Sequence, residues 1–586
     1  MAGVFSLVYF RVGHEGVRSK LSLTLNPMIN PKENIKKLLA TALTKLNLKA
    51  DIIIEYPKLL SHGDFSTNVA MILAKEKKIS PLNLASSIVA EIPADPDIAE
   101  VTAVAPGFIN FRLSPKFLGE CLKTILAEKE KFGRGKEREK IIIEYTDPNP
   151  FKEFHIGHLM SNTIGEALSR LFEWGGNEVK RACYQGDVGI HVASAVWGLQ
   201  ELGLPPEGAT LAEKAQFLGR AYALGAGEYE KKKSEIDLLN KKIYEKSDPA
   251  VNAIYKKGRE WSLQYFDTIY EKLGTKFDFF FFESEGGILG KKIVEENIGK
   301  VFEESEKAII FRGEKYGLHT RVFVNSFGLP TYEAKELGLA KIKNELYPYD
   351  LSVIVTGNEV NDYFKVLLKA LRLVFPALAE KTRHISHGML RLSSGKMASR
   401  KGKIITAIGL LSAMKEEVLK KMDPARFADE SEKEKIAEMI AVGALKFTIL
   451  KRSPGHDIIF NIKEALSLEG DSGPYLQYTA TRANSVLEKA KAIGIEAVVL
   501  KGESHELPRL LCRFPNIAAK ARENLSPQII VDYLLELAGS FNNFYNRVII
   551  VDESVEAPYK VALVMAVHEV IANGLNILGI KVPPKM

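Results

Sequence analysis

Two histidines three residues apart stand at the end of Asp147-Pro148-Asn149-Pro150-Phe151-Lys152-Glu153-Phe154-His155-Ile156-Gly157-His158. At the start of a helix that follows a strand, both rings can hydrogen-bond a phosphate while the helix N-terminus adds its partial positive charge. Gly157 between them lets a planar base approach the backbone. Taken alone, His-x-x-His also fits a metal pair or two surface histidines. A second candidate lies in Ser393-Ser394-Gly395-Lys396-Met397-Ala398-Ser399-Arg400-Lys401-Gly402-Lys403, and Lys381 to Lys403 holds basic side chains and no acid. Such a loop suits a triphosphate, whose developing charge in an in-line displacement needs cations more than a general acid or base. Alone it could equally be an RNA-backbone patch or a solvated run of charge.

The elements around these motifs read as a nucleotide-type βαβ unit. Lys140–Tyr145 is a buried-strand run, His155–Trp174 carries an apolar helical face ended by Gly175-Gly176, and Glu178–Tyr184 alternates as a second strand. Strand patterns at Arg321–Asn325 and Leu351–Thr356 are expected to complete a doubly wound parallel sheet. Residues 28–135 read as a small α+β domain, with a helix over Ile35–Leu46 and a strand over Gly107–Leu113. A catalytic domain is expected over 136–409, with a charged helical insertion at about 200–300 that includes Leu211–Leu273. Residues 410–586 read as an all-α bundle, and residues 1–27 as a possible extension or a misassigned start.

Composition narrows the class. With 586 residues, 46% hydrophobic and 26% charged, the chain can bury several cores, and 44 Gly with 25 Pro is an ordinary globular level. The most apolar stretch, Val561 to Ile580, contains His568, Glu569 and Asn573 and reads as a packed helix; no membrane span is expected. Cys121, Cys183 and Cys512 offer none of the close pairs of a zinc site or disulfide framework, which points to a reducing cytosol. A net charge of +7 permits nucleic acid as a partner.

Together the two motifs resemble the HIGH and KMSKS elements of class I aminoacyl-tRNA synthetases, and their surroundings resemble the arginyl-tRNA synthetase family. Gly63-Asp64-Phe65-Ser66-Thr67-Asn68 and Ala105-Pro106-Gly107-Phe108-Ile109-Asn110-Phe111 are similar to that family's N-terminal tRNA-binding domain. Glu469-Gly470-Asp471-Ser472-Gly473-Pro474-Tyr475-Leu476-Gln477-Tyr478, with Arg482, is similar to the opening of its anticodon-binding bundle. The resemblance covers roughly residues 30 to 586. It implies a Rossmann-like catalytic core and a ligase that makes arginyl-adenylate from arginine and ATP with Mg2+, then charges tRNA(Arg). The enzyme would be a cytoplasmic monomer without structural zinc.

By resemblance, His155, Gly157, His158, His387, Gly388, Met389, Lys396 and Arg400 hold ATP. Glu144, Asn149, His158, Tyr332, Glu336 and Asn361 hold arginine. Phe108 and Asn110 touch the D-loop of the tRNA, while Tyr475, Arg482, Tyr545 and Met586 touch its anticodon loop. A carboxylate at Glu336 makes physical sense, since a planar five-donor guanidinium is best met by a bidentate acceptor. Glu336 replaces the family's usual aspartate, and Val360 stands where it usually has glutamine, beside Asn361. Ala398 and Ser399 leave the loop without its second lysine, a role the resemblance gives to Lys152. The interval from His158 to Lys396 is too short for a large editing domain, and a guanidinium-selective site needs none. Other adenylyl-transferring enzymes, a cysteine-specific synthetase among them, and a non-catalytic RNA-binding relative share parts of this pattern. The last would typically have lost a motif histidine, and both are present.

Overall fold

The computed structural model describes residues 31–57, 59–393, 406–499 and 506–586. Lys396, Arg400 and the first 27 residues lie outside the described residues. The first domain holds the helix Pro31–Lys45 and an antiparallel sheet in which β3 (Phe108–Leu113) lies between β1 (Phe65–Thr67) and β2 (Ile98–Val104).

The catalytic sheet contains β4 (Lys140–Glu144), β5 (Glu178–Gln185) and β6 (Phe279–Phe282), with β10 (Leu351–Gly357) and β11 (Thr382–His387) on the other side of β4. All neighbours are parallel, in the order β11-β10-β4-β5-β6. The order reverses between β4 and β10, so the chains leaving these strands diverge to opposite faces. Val353 and Val355 join the core under the helix Ile156–Trp174, and Ile354 joins the one under the helix Asn361–Val374. The crevice opened there is the ligand position of doubly wound sheets. Ile141, Ile142 and Ile143 are fully buried, as a central parallel strand requires.

Two expectations about strands are corrected. Arg321–Val324 (β9) does not complete the main sheet. It pairs with β8 (Ala308–Phe311), which pairs with β7 (Glu303–Ser305), in a separate antiparallel sheet. The Glu306-Lys307 corner, with φ of 49° and 64°, makes a tight hairpin of β7 and β8, and β9 pairs with the other edge of β8. Its expected place is filled by β6 and by β11, whose polar text Thr-Arg-His-Ile-Ser-His suits an edge and conceals a strand. In the region expected to be helical throughout, β13 (Ile458–Phe460) pairs with β12 (Leu390–Leu392).

The charged insertion folds as two long helices, Leu211–Glu245 and Pro249–Leu273, ending before β6. They enclose their own apolar core with Phe151, Val192 and Trp197. In the bundle, Ala557–Ile577 is long and apolar enough to cross a membrane by length and composition, but its faces are mostly buried against other helices, chiefly Gly473–Ala492. One continuous core runs from the first domain through the helix Ile156–Trp174 into the bundle.

The first domain docks on the bundle through buried polar contacts. Arg509 Nε meets Asp64 Oδ1 at 2.6 Å, and its Nη2 donates to the Leu60 carbonyl at 2.7 Å. Arg522 pairs with Glu137, and Asn573 donates to the Lys129 carbonyl at 2.9 Å. Cys121 and Cys512 form a disulfide across the same junction, with Cα atoms 6.2 Å apart. This corrects the expectation of unpaired cysteines: 391 residues separate the two in sequence, and spacing along the chain said nothing of their meeting in the fold.

Candidate active site

The segment from Thr146 to His155 fills the crevice, and its backbone is forced. Thr146, Asp147 and Phe151 have φ of 81°, 46° and 69°, a region that non-glycine residues enter only when the surroundings hold them. Those surroundings are specific. Thr146 N donates to Ser161 Oγ at 2.9 Å, the Tyr184 N–H donates to Asp147 Oδ1 at 2.7 Å, and Phe151 N donates to Ser262 Oγ at 2.9 Å. Phe151 is fully buried against the insertion helix, where a Cβ at Gly258 would stand 2.2 Å from its ring.

His155 is the N-cap of the helix Ile156–Trp174, and the pair builds a reciprocal cap. Gly157 N donates to His155 Nδ1 at 3.1 Å, and His155 N donates to His158 Nδ1 at 3.3 Å. The rings stack with centroids 3.7 Å apart. Each Nδ1 accepts, so each neutral ring carries its hydrogen on Nε2 as a donor. A Cβ at Gly157 would lie 2.9 Å from the His155 ring, a second reason for glycine there. Burial lowers the pKa of both histidines, with Lys152 adding to it, and His158 is lowered further by its neighbour His155. Both rings are therefore neutral donors near pH 7, and positive charge must come from elsewhere. Lys152 is at hand, its Nζ 4.9 Å from the Tyr222 ring centroid on the insertion.

One end of the lysine loop meets this motif and the other meets β13. Thr406 bridges His155, Ala407 N donates to the Phe154 carbonyl at 3.0 Å, and Ser393 N donates to the Phe460 carbonyl at 3.0 Å. His387 Nδ1 lies 2.8 Å from the Gly388 carbonyl, so Nδ1 donates and the neutral ring offers Nε2 as an acceptor. Burial lowers its pKa as well. Gly388 presses on the backbone of His456, while Met389 is exposed and donates its N–H to Asp457 at 2.8 Å.

On the other side of β4 the side chains form an acidic pocket. Glu144 and Glu283 are buried, and Asp147 and Glu336 are half-buried. Two ammonium groups answer them, Lys343 at 2.7 Å from Glu144 and Lys335 at 2.6 Å from Glu283. Burial first, then Glu144, raises the Glu336 carboxyl well above the usual range, with Lys343 opposing; burial and Glu144 raise Asp147 in the same direction. Tyr332 starts the helix carrying Glu336 and is exposed at the pocket mouth, with Lys335 Nζ 5.0 Å from its ring centroid. The Asn149 carboxamide lies where a Cβ at Gly186 would stand, 2.2 Å from it. Asn361 opens the next helix, half-buried, while Val360 packs on the apolar core.

Sequence reasoning missed Asp147, Glu283, Lys335 and Lys343. Lys343 lies seven residues after Glu336, two helical turns along the same face, a signal that was present; nothing in the text brings Glu283 to the pocket.

The remaining site residues sit on two surfaces. Arg482 donates to Asn542 Oδ1 at 2.9 Å and lies 4.8 Å from the Tyr545 ring centroid and 4.6 Å from that of Tyr478, while Asn542 donates to the Tyr475 hydroxyl at 3.0 Å. Met586 lies apart from this cluster, lining a neighbouring apolar hollow of about 360 Å³ with Tyr478 and Phe427. In the first domain Phe108 is exposed, whereas Asn110 is buried and accepts from Ser66 Oγ at 2.7 Å. Among the described residues no group of three or more His, Cys, Asp or Glu is placed to hold a metal ion.

Comparison with known proteins agrees in all three domains. The catalytic domain of class I tRNA synthetases (R) matches residues 121–462, the DALR anticodon binding domain 476–586, and the arginyl tRNA synthetase N terminal domain 33–113. The arginine–tRNA ligase of Treponema pallidum is 30% identical over 558 residues, 90% of this chain and 94% of that protein. Arginine–tRNA ligase 1 of Bacillus cereus is 31% identical over 552 residues, 91% and 95% respectively. The fold matches Thermus thermophilus arginyl-tRNA synthetase with a TM-score of 0.79 at 23% identity, covering 95% of this chain and 100% of that one. With the catalytic match spanning more than half of the chain and these relatives aligned over nearly its whole length, the chain belongs to the arginyl-tRNA synthetase family.

Proposed function

We infer that the protein activates arginine with ATP, giving arginyl-adenylate and pyrophosphate, and then transfers the arginyl group to the 3′-terminal adenosine of tRNA(Arg). The observation that carries arginine as the substrate is the charge imbalance of the pocket beside β4. Four carboxyl groups, Glu144, Asp147, Glu283 and Glu336, face two ammonium groups, Lys335 and Lys343. A dication with an α-ammonium at one end and a guanidinium at the other answers that imbalance.

In this reading Glu336 and Tyr332 take the guanidinium, and Glu144 and Asn149 take the α-amino end. Asn361 supplies a polar contact that Val360 lacks. ATP enters with Mg2+ as its substrate complex. His155 and His158 donate Nε2–H to its phosphates, Gly157, His387, Gly388 and Met389 receive the adenosine, and Lys152 with Lys396 and Arg400 neutralises the departing pyrophosphate. The arginine carboxylate attacks the α-phosphate in line, and no side chain has to move a proton. Tyr475, Arg482, Tyr545 and Met586 read the anticodon loop by stacking and hydrogen bonding, and Phe108 with Asn110 meets the D-loop. We take the enzyme to be a cytoplasmic monomer. Amino-acid-dependent pyrophosphate exchange, run across the standard amino acids with and without tRNA, tests the reading. Exchange is expected with arginine alone, in the presence of tRNA; exchange with another amino acid overturns it.

A further inference from the structure

One buried carboxylate beside the site has no part in the chemistry above, yet it accepts four hydrogen bonds from two helices. Asp187, 1% exposed, lies in the turn 186–189 that follows β5. Its Oδ2 accepts from the Tyr255 hydroxyl and from Arg259 Nε, both at 3.1 Å and both on the insertion helix Pro249–Leu273. Oδ1 accepts from Ser284 N at 2.9 Å, and Oδ2 also takes the Ser284 hydroxyl at 2.8 Å. The helix Glu283–Glu296 needs that acceptor, because its N-cap is Phe282, whose side chain offers none. Asp187 supplies it from another strand and sets a negative charge at the positive end of the helix. Arg259 grips the same junction from the far side, its guanidinium 3.9 Å from the Phe282 ring centroid. Glu283 therefore cannot move relative to Asp187 without breaking charge-assisted bonds.

What this junction controls lies one residue before it. A Cβ on Gly186 would stand 2.2 Å from Asn149 Oδ1 and 3.1 Å from Glu283 Oε1, so both side chains lean into the space that the glycine leaves. The Gly186 carbonyl is fixed as well, accepting from His191 Nε2 at 2.9 Å. The insertion helix also steadies Asn149 from its own side: the Tyr255 ring stacks on Phe151, two residues after Asn149, with centroids 6.1 Å apart. The turn that Asp187 ties down is thus the spacer between the α-amino end of the site and the acidic wall of the pocket.

We propose that Asp187 is a positioning residue that sets the length of side chain the pocket accepts, by fixing Asn149 and Glu283 on either side of Gly186. It acts through the turn and not on the substrate. The inference rests on the reading of the pocket as the arginine site. Shape alone separates homologues that differ by one methylene by about 10- to 200-fold, and does so only where the ends of the pocket do not drift.

The test uses the full-length protein in pyrophosphate exchange with tRNA present. It compares the KM for arginine with the inhibition constant of homoarginine, whose side chain is one methylene longer. Asp187→Asn keeps the shape but removes the charge and one acceptor from the junction. Tyr255→Phe keeps the ring on Phe151 and removes only the bond to Asp187. Glu235→Gln is the control, since on the same insertion it meets Trp197 and Lys232 and no part of the junction. The wild type and the control should hold homoarginine about 10-fold or more weaker than arginine. In Asp187→Asn and Tyr255→Phe that ratio should fall by about 3-fold or more, with the KM for ATP unchanged. A purely structural role would lower kcat through loss of active protein and leave the ratio intact. An unchanged ratio in Tyr255→Phe, or a wild type that does not separate the two amino acids, overturns the proposal; if Asp187→Asn does not fold, Tyr255→Phe alone decides. A wild type that supports no exchange with arginine would instead overturn the functional reading beneath it.

Discussion

In the empty pocket the Glu336 carboxyl has a raised affinity for a proton, and a bound guanidinium should lower it. Burial and Glu144 raise its pKa, and a guanidinium beside it would lower it again, so arginine binding should release a proton. The sign follows: the Michaelis constant for arginine falls as pH rises through the raised pKa, and Glu336→Gln removes that dependence. The same variant should raise the constant by roughly 30-fold or more, the equivalent of about 2 to 4 kcal/mol for a buried charge-assisted pair. An unchanged constant would move the role to Glu283. For Lys152 the expectation concerns rate. With both histidines neutral, Lys152→Ala should slow arginyl-adenylate formation about 100-fold, near 2.7 kcal/mol, with little change for ATP affinity, and adding Ser399→Lys should restore part of it. Wild-type adenylate formation in Lys152→Ala would pass the role to Arg400 or Lys401. The histidines, Lys152 and Glu336 were legible because their chemistry is written in neighbouring residues. Asp147, Glu283 and the two pocket lysines were not, because what brings them together is the meeting of the ends of β4 and β6 with the helix Tyr332–Leu346.

Elements were readable where their periodicity was strong and unreadable where a partner had to be chosen. The triple isoleucine of β4 and the apolar face of Ile156–Trp174 announce themselves, whereas β9 shows the same alternation as a core strand and is diverted onto the edge of the β7–β8 hairpin. Phe151 illustrates an element held from outside. Its ring belongs to the core of the insertion helices while its backbone is part of the active-site turn. Phe151→Ala should cost about 3 to 5 kcal/mol of stability by leaving a cavity there. It should also lower the rate of activation by letting Asn149 and Lys152 shift. Chemical denaturation beside single-turnover adenylate formation separates the two, and a stable variant with normal activation would show that the turn does not need the insertion.

At the scale of the whole molecule, five histidines of the central domain are held below their ordinary pKa by burial. His191 and His384 are lowered to about 4, and His155, His158 and His387 are lowered too. A group whose folded pKa is depressed in this way contributes nothing to pH dependence above its unfolded value near 6.5, and destabilises the fold as pH falls from there toward 4. Denaturation midpoints should therefore be flat from pH 7 to 8 with respect to these groups and drop between about pH 6.5 and 4; a midpoint constant over that range would mean the rings protonate without cost. Three domains in order were visible in the text, but their contacts were not, since nothing in the segment around Asp64 marks it as the buried partner of Arg509. That pairing spans 445 residues of chain. At a synthesis rate of roughly 5–20 residues per second, the first domain is out of the ribosome for roughly 20 to 90 seconds before the surface it docks on has been made. During that interval the Asp64 carboxylate and the face bearing Cys121 are open to water and to other chains, so the first domain of this protein spends its first minute as a free-standing nascent unit.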